Sequence, residues 1–387
     1  MKELYWTRRK VPRHAVLLVA LLTCLSVAAV ELFRQQVRQP NYATKLAATE
    51  LALKAMQCLR QERERRGYPV DLTVDPAGTG LVGAEVTPVT SIAGHLGAKQ
   101  ASVNPNFAAV AVEMLAEAGV QSGDVVAVGC SGSFPAINTC VFAALETLEA
   151  RPIVISSVTS SQYGANLPDF MWLDMERVLS DQERISFRSV AASRGGYEDR
   201  AIGMSEDSRR LLEQVVSRNQ LPLIDADSFT DSMDQRMALY RQYAETATIK
   251  AYINVGGGTV SVGRSLGKKL IRPGLNLRPP TGSGDVDGVM YRFVRQQTPV
   301  LHFGQINALC QQYGLKTPQD RLAEVGASNV FVRRDYNRWL AGATFLLVVG
   351  VITVVAHRVS KAPAASDTAE IPAATGLEET KAASAGF

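Results

Sequence analysis

The chain has 387 residues, enough for one large or two small domains, and 46% of them are hydrophobic, which is sufficient for a substantial core. Its formal net charge is only +4, and no run of lysines and arginines alternates with aromatic residues, so nucleic acid is not expected as a partner. Five scattered cysteines without a C-x-x-C pair and only four histidines argue against a disulfide framework and a zinc site, and we expect neither a metal nor another cofactor.

The first apolar segment, residues 15–32, contains the run AVLLVALLTCLSVAAV. It follows a basic N-terminus, residues 1–14, in which Arg8, Arg9 and Lys10 are consecutive. A cleaved signal peptide and a retained anchor share this pattern. We interpret the segment as a retained transmembrane helix.

The second apolar segment, residues 336–357, contains WLAGATFLLVVGVITVVA, close to the roughly 20 residues that cross the bilayer core. Tyr336 and Trp339 stand at one end, as in the aromatic belt of membrane helices. The basic N-terminus should remain in the cytoplasm, so we predict a two-pass protein of the cell membrane whose central region is extracytoplasmic. Residues 358–387 are mostly small or polar and predict a disordered cytoplasmic tail.

Between the two apolar segments, residues 33–66 have a strongly helix-forming pattern and are predicted to connect the membrane to a domain. The helix ends in the charge run RQERERR, which predicts a solvated face. Residues 67–335 then alternate between apolar, β-branched strands and amphipathic helices. The strands are DVVAVG, PIVISSV, LPLID, KAYINVGGG and PVLHFG. This alternation predicts an α/β domain with a mainly parallel sheet and helices on both faces.

Polar turns follow four of these strands: GCSGSFP, SSVTSSQYGANLPD, GGGTVSVG and HFGQ. In an open α/β sheet, ligands bind beyond the carboxyl ends of the strands, so we expect the turns to converge on one cleft. The predicted ligand-binding residues are Gly129, Ser131, Gly132, Ser133, Asn138, Gly257, Gly258, Thr259 and Ser261.

The turn after the first of these strands supports different interpretations. Its first four residues, GCSG, begin like the G-x-S-x-G elbow of α/β-hydrolases, but Ser133 replaces the last glycine. A hydrolase would use Ser131 or Ser133 as the nucleophile and His302 as the base. Alternatively, Ser133 caps a helix with Pro135 in its first turn, and the free amides bind an anion. In the third interpretation the glycines only form a turn, and the residues alone do not choose among these.

Three stretches, KQASVNPNFAAVAVEMLAEAGVQSGDVVAVGCSGSFPAIN, RPIVISSVTSSQYGANLPDFMWLDME and YINVGGGTVSVG, resemble the poly-γ-glutamate system protein family of bacteria. The resemblance extends from the basic N-terminus to about Arg338. It implies a role in producing or exporting an anionic polymer, with the membrane components of the synthase, the polymer and membrane lipid as partners. It assigns no catalytic residue.

We therefore predict a membrane-anchored accessory component whose α/β domain binds a glutamate-type carboxylate. A serine-dependent hydrolase or transferase that cleaves or releases the polymer, and a non-catalytic scaffold of the synthase complex, are the alternatives.

Overall fold

The structure, a computed structural model, describes residues 11–316 and 321–361. Two compact units divide the chain. Residues 37–333 belong to one, which we call the α/β unit, and the described segments 11–36 and 334–361 belong to the other, the terminal unit.

The described helices are α1 Arg13–Leu32, α2 Tyr42–Arg65, α3 Leu96–Ser102, α4 Phe107–Glu117, α5 Pro135–Thr147, α6 Trp172–Asp181, α7 Glu206–Arg218, α8 Phe229–Ala244, α9 Thr259–Val262, α10 Arg264–Leu270, α11 Val289–Arg295, α12 Ile306–Tyr313 and α13 Arg338–Lys361. The described strands are β1 Gln35–Arg38, β2 Thr90–Ile92, β3 Val125–Ser131, β4 Arg151–Ser157, β5 Ser160–Ser161, β6 Asn166–Leu167, β7 Phe170–Met171, β8 Ser189–Ser193, β9 Leu223–Ile224, β10 Ile249–Val255, β11 Gly274–Asn276, β12 Val300–Phe303 and β13 Val332–Asp335.

In the terminal unit, α1 and α13 are long and apolar enough to cross a membrane, and none of their residues is buried in the protein. They correspond to the two predicted membrane segments, 15–32 and 336–357. Helix α13 continues to Lys361, so residues 358–361 are helical rather than part of a disordered tail, because their sequence, RVSK, contains no helix breaker. The rest of the predicted tail and most of the basic N-terminus lie outside the described residues.

The α/β unit is built around a sheet of seven of the described strands in the order β11-β12-β10-β3-β4-β8-β9. Every neighbouring pair is parallel except β11 and β12. The mainly parallel α/β sheet predicted from the sequence is therefore confirmed. After β3 the sheet grows outward through β4, β8 and β9, whereas β10 returns to the other side of β3 and is followed by β12.

Alternate side chains of the sheet enter two separate apolar cores. Val126 and Val128 of β3 belong to the core that contains α2, α4, α5, α6, α7 and α12. Val125 and Ala127 belong to the core that contains α8, α9 and α11. Since successive residues of a strand point to opposite faces, helices cover the sheet on both sides.

Helix α2 differs from the predicted connecting helix of residues 33–66. It begins only at Tyr42, after the short strand β1, and its small residues Ala48, Ala52 and Ala55 are buried against α4 and α5. Small side chains let neighbouring helices approach closely. The helix is thus part of the core of the α/β unit, which begins at Val37 rather than at residue 67.

The charge run at the end of α2 is partly solvated, and one of its residues is buried. Arg65 is exposed and pairs with Glu62, but Arg63 is only 7% exposed. Its Nη1 donates to the carbonyls of Gly80 and Val82 at 2.8 and 2.7 Å. Arg63 therefore ties the segment after α2 to the helix.

We expect Arg63→Ala to lower the free energy of unfolding by about 2–4 kcal/mol, because it leaves buried carbonyls without a donor. Arg65→Ala, two residues along the same helix, is the matched control and should change it by less than about 0.5 kcal/mol. Denaturant unfolding of the full chain in detergent measures both. Equal effects of the two substitutions would contradict the structural role of Arg63.

Candidate functional site

A cavity of about 280 Å³ opens where the strand order reverses, beyond the carboxyl ends of β3 and β10. Such reversal points are where open α/β sheets bind their ligands. We call it the switch-point cavity. Residues of the first three predicted turns line it, and the turn after β12 does not. The predicted ligand-binding residues that line it are Gly129, Ser131, Ser133, Gly257, Gly258, Thr259 and Ser261.

Two glycines let β3 and β10 approach each other at the cavity. A Cβ at Gly129 would lie 2.4 Å from the hydroxyl oxygen of Tyr252. Gly256 has a φ of +99°, and a Cβ there would lie 2.5 Å from Oγ of Ser131. Close packing requires glycine at both places, and at Gly256 the backbone conformation requires it as well.

The amides of the turn after β3 are used within the protein. The N–H of Gly132 donates to the carbonyl of Ser157 at 3.2 Å, and that of Ser133 points to Oγ of Ser131 at 3.4 Å. Helix α5 begins at Pro135, as predicted, but its N-cap is Phe134 and not Ser133. The Ser133 hydroxyl instead accepts the N–H of Ser161 at 3.1 Å, which ties the first turn to the second. The Gly132 and Ser133 amides are thus not open to an anion.

Asn138 lies beneath the turn and does not line the cavity. Its side chain is fully buried on α5, and Nδ2 donates to the carbonyl of Ser131 at 2.9 Å. The structure thus gives Asn138 a position from which it holds the turn. Gly132 likewise lies outside the cavity lining, packed near the carbonyls of Val158 and Thr159.

The structure does not bring His302 to either predicted serine nucleophile. Its Nδ1 accepts from Nδ2 of Asn254 at 3.0 Å, and Nδ2 also donates to the carbonyl of Gly256. Burial lowers the pKa of His302 to about 4, so the ring is neutral at pH 7. Among the described residues, no hydrogen bond joins His302 to Ser131 or Ser133. The Ser–His pair of the hydrolase hypothesis is therefore not formed in this structure.

Lys99 of α3 lines the cavity, although the sequence did not single it out. It is only 3% exposed, and its Nζ donates to Oγ of Ser161 at 2.8 Å and to the carbonyl of Ser133. The ring centroid of Phe134 lies 3.9 Å from Nζ. No carboxylate within the described residues pairs with it, and burial lowers its pKa to about 7. The only sequence signal is its position in LGAKQAS, where small neighbours favour close packing.

Arg236 of α8 is a second buried cation at the cavity. Its Nε and Nη2 donate to Oδ2 of Asp199 at 2.9 and 2.7 Å, and Nη2 also reaches the hydroxyls of Ser157 and Ser193. Its Nη1 makes no hydrogen bond to any described residue. No pattern in the sequence indicates this pair.

The lining of the cavity is more basic than acidic. Lys268 of α10 is exposed at its edge and has no ion-pair partner in the part of the chain that the structure describes. The cavity is thus lined by three cationic residues, Lys99, Arg236 and Lys268. Asp199 is the one acidic residue among the described lining residues. An anion would gain charge-assisted hydrogen bonds here. Within residues 11–316 and 321–361, no cluster of His, Cys, Asp and Glu could hold a metal ion.

Comparison of this chain with protein-family models, with curated proteins and with solved structures returned no match.

We expect the free energy of unfolding of the wild-type protein to rise relative to that of Lys99→Met between pH 7 and pH 10. The folded protein releases the Lys99 proton near pH 7, whereas the unfolded chain keeps it to about pH 10, so stability increases with pH in this window. The difference should amount to as much as about 4 kcal/mol. Denaturant unfolding of both proteins across this range tests it, and a constant difference would contradict a depressed pKa.

Proposed function

We propose that this protein is a membrane-anchored accessory component of bacterial poly-γ-glutamate biosynthesis or export, and that its α/β unit binds a glutamate-type carboxylate in the switch-point cavity. The observation that carries the proposal is the excess of positive charge in a concave site where α/β sheets bind ligands. The two apolar helices of the terminal unit and the resemblance to the poly-γ-glutamate system proteins support the membrane location and the pathway.

The carboxylate would be bound by side chains rather than by backbone amides. Lys268 and Nη1 of Arg236 supply positive charge and have no ion-pair or hydrogen-bond partner among the residues that the structure describes. The hydroxyl oxygens of Ser131 and Thr259 each accept a backbone N–H, which leaves their hydroxyl hydrogens free to donate. An anion between these groups would receive the charge-assisted hydrogen bonds that such sites need.

The size of the cavity limits what it can bind. About 280 Å³ is near the lower end of the range of small-molecule sites. It admits one or two glutamyl units rather than a long stretch of polymer. We therefore propose that the α/β unit binds a chain end or a short oligomer, and that the remaining chain runs out past the exposed Lys268.

We expect Lys268→Ala to weaken binding of a short γ-glutamate oligomer about three- to tenfold, because it removes an exposed cationic partner. Lys269→Ala is the matched control, since Lys269 is equally basic and exposed but does not line the cavity. Isothermal titration of the full-length protein in detergent, at low and high salt, measures both.

Ser133→Leu fills the cavity with a larger apolar side chain and should abolish this binding. Binding that is unchanged in Ser133→Leu, or lost equally in Lys268→Ala and Lys269→Ala, would contradict the site. Weakening by salt in the wild-type protein is expected as well.

We also propose that the α/β unit lies on the extracytoplasmic side of the membrane. Asp207 is a suitable reporter, because its side chain is 90% exposed on α7. In Asp207→Cys, a membrane-impermeant maleimide added to intact spheroplasts should label the protein well above the wild-type background. Labelling that requires lysis would place the unit in the cytoplasm.

A further inference from the structure

We propose that Ser161 and Lys99 form a nucleophile–base pair that cleaves an amide bond of a carboxylate-bearing substrate in the switch-point cavity. For the identity of the substrate, this inference rests on the proposed function. The pair itself rests on the geometry of the cavity wall. Neither residue was among the catalytic candidates of the sequence, which were Ser131, Ser133 and His302.

The contact between the two side chains is direct. Nζ of Lys99 lies 2.8 Å from Oγ of Ser161, which is within the range of a nucleophile hydrogen-bonded to its base. Both residues are buried, and both line the cavity, so a bound ligand can reach them. Oγ of Ser161 has no other hydrogen-bond partner among the described residues. When Lys99 is neutral, the hydroxyl hydrogen is therefore free to turn toward the lone pair of Nζ.

The surroundings of Lys99 suit a base. A neutral amine has a lone pair, and here one N–H donates to the carbonyl of Ser133 while the lone pair can face the Ser161 hydroxyl. No described carboxylate pairs with Lys99 to keep it protonated. Burial lowers its pKa to about 7, so a large fraction of the amine is neutral at physiological pH.

The backbone holds Ser161 in place. Strand β5 pairs with β2, with Ser161 opposite Ile92. The N–H of Ser161 donates to Oγ of Ser133 at 3.1 Å, and its carbonyl accepts the hydroxyl of Ser160 at 2.8 Å. By comparison, no lysine or histidine side chain among the described residues makes a hydrogen bond to the hydroxyl of Ser131 or Ser133.

The chemistry balances without a cofactor. Oγ of Ser161 attacks the carbonyl carbon while Lys99 takes its proton, and the protonated Lys99 then gives that proton to the departing amine as the C–N bond breaks. Water next attacks the acyl-Ser161 ester, Lys99 again accepts and returns a proton, and Ser161 is regenerated. The net reaction is an amide plus water giving a carboxylic acid and an amine.

The charges elsewhere in the cavity define the substrate class. Arg236 and Lys268 line the same cavity as Ser161 and would hold a carboxylate of the residue whose amide is cleaved. A γ-glutamyl amide carries both groups, since each unit has a free α-carboxylate beside its γ-amide. The reaction would shorten or release such a chain from its end.

The test uses the full-length protein in detergent with two probes: a fluorophosphonate, which reacts with activated serines, and a short γ-glutamate oligomer. Peptide mass spectrometry should find the fluorophosphonate attached to Ser161. Hydrolysis of the oligomer should release new amino groups. Ser161→Ala should lower both signals at least 100-fold. Ser265→Ala, at an exposed serine outside the cavity lining, is the control and should leave both signals unchanged.

Lys99 is tested through the pH profile. In the wild-type protein, labelling of Ser161 should rise as the pH increases through about 7, because Lys99 then loses its proton. In Lys99→Met this rise should disappear and labelling should fall at least 100-fold. Lys99→Arg keeps a long, positively charged side chain that stays protonated, so it should show the same loss of labelling and of the pH-dependent rise. Unfolding curves of both variants check that they fold.

The outcomes separate the two proposals. If the protein binds the oligomer but Ser161 is not labelled by the fluorophosphonate, the nucleophile–base pair is overturned and the binding function remains. The same holds if Ser161→Ala hydrolyses the oligomer at the full rate. Labelling of Ser161 without any binding of the oligomer overturns the proposed function and leaves the pair intact. Labelling that is unchanged in both Lys99 variants excludes Lys99 as the base.

Discussion

The chain leaves β3 and β10 toward opposite faces of the sheet, and the candidate site exists because of this divergence. Helix α5 packs into one core after β3, whereas α9 and α11 pack into the other after β10. Since the strands are neighbours, no helix can cover the edge between them, and a cavity remains at their carboxyl ends. The glycines at Gly129 and Gly256 then bring the two turns close enough to form common walls.

A buried amine gives this cavity its chemical character. Among the described residues, the partners of the Lys99 Nζ are a carbonyl, a hydroxyl and an aromatic ring, so none of them offsets desolvation with an opposite charge. Such a group can attract an anion when protonated and accept a proton when neutral. Arg236, in contrast, is compensated by Asp199 and keeps its charge. The cavity therefore combines a permanent cationic partner with one that can change its state.

The fold was largely predictable because its strands are apolar and its helices amphipathic, and β3, β4, β10 and β12 all correspond to predicted strands. Strand β8, with the sequence SVAAS, was missed, since small and polar residues carry little strand signal. The three turns of the site were predicted from the rule on strand ends. Lys99, by contrast, precedes β3 in the sequence, and Arg236 lies within a helix. Tertiary packing brings them to the cavity, so the sequence offers no more than the small neighbours of Lys99 as a local signal.

The burial of α2 has a consequence for how the α/β unit can be separated from the membrane. Lys45 of this helix is fully buried, pairs with Glu113 of α4 and donates to the carbonyl of Val330 near the other end of the unit. A soluble fragment that starts at residue 67 would expose the apolar faces of α4 and α5 and leave Glu113 without its cation. Proteolytic release of an intact, water-soluble unit would have to cut before Tyr42 and after Phe331.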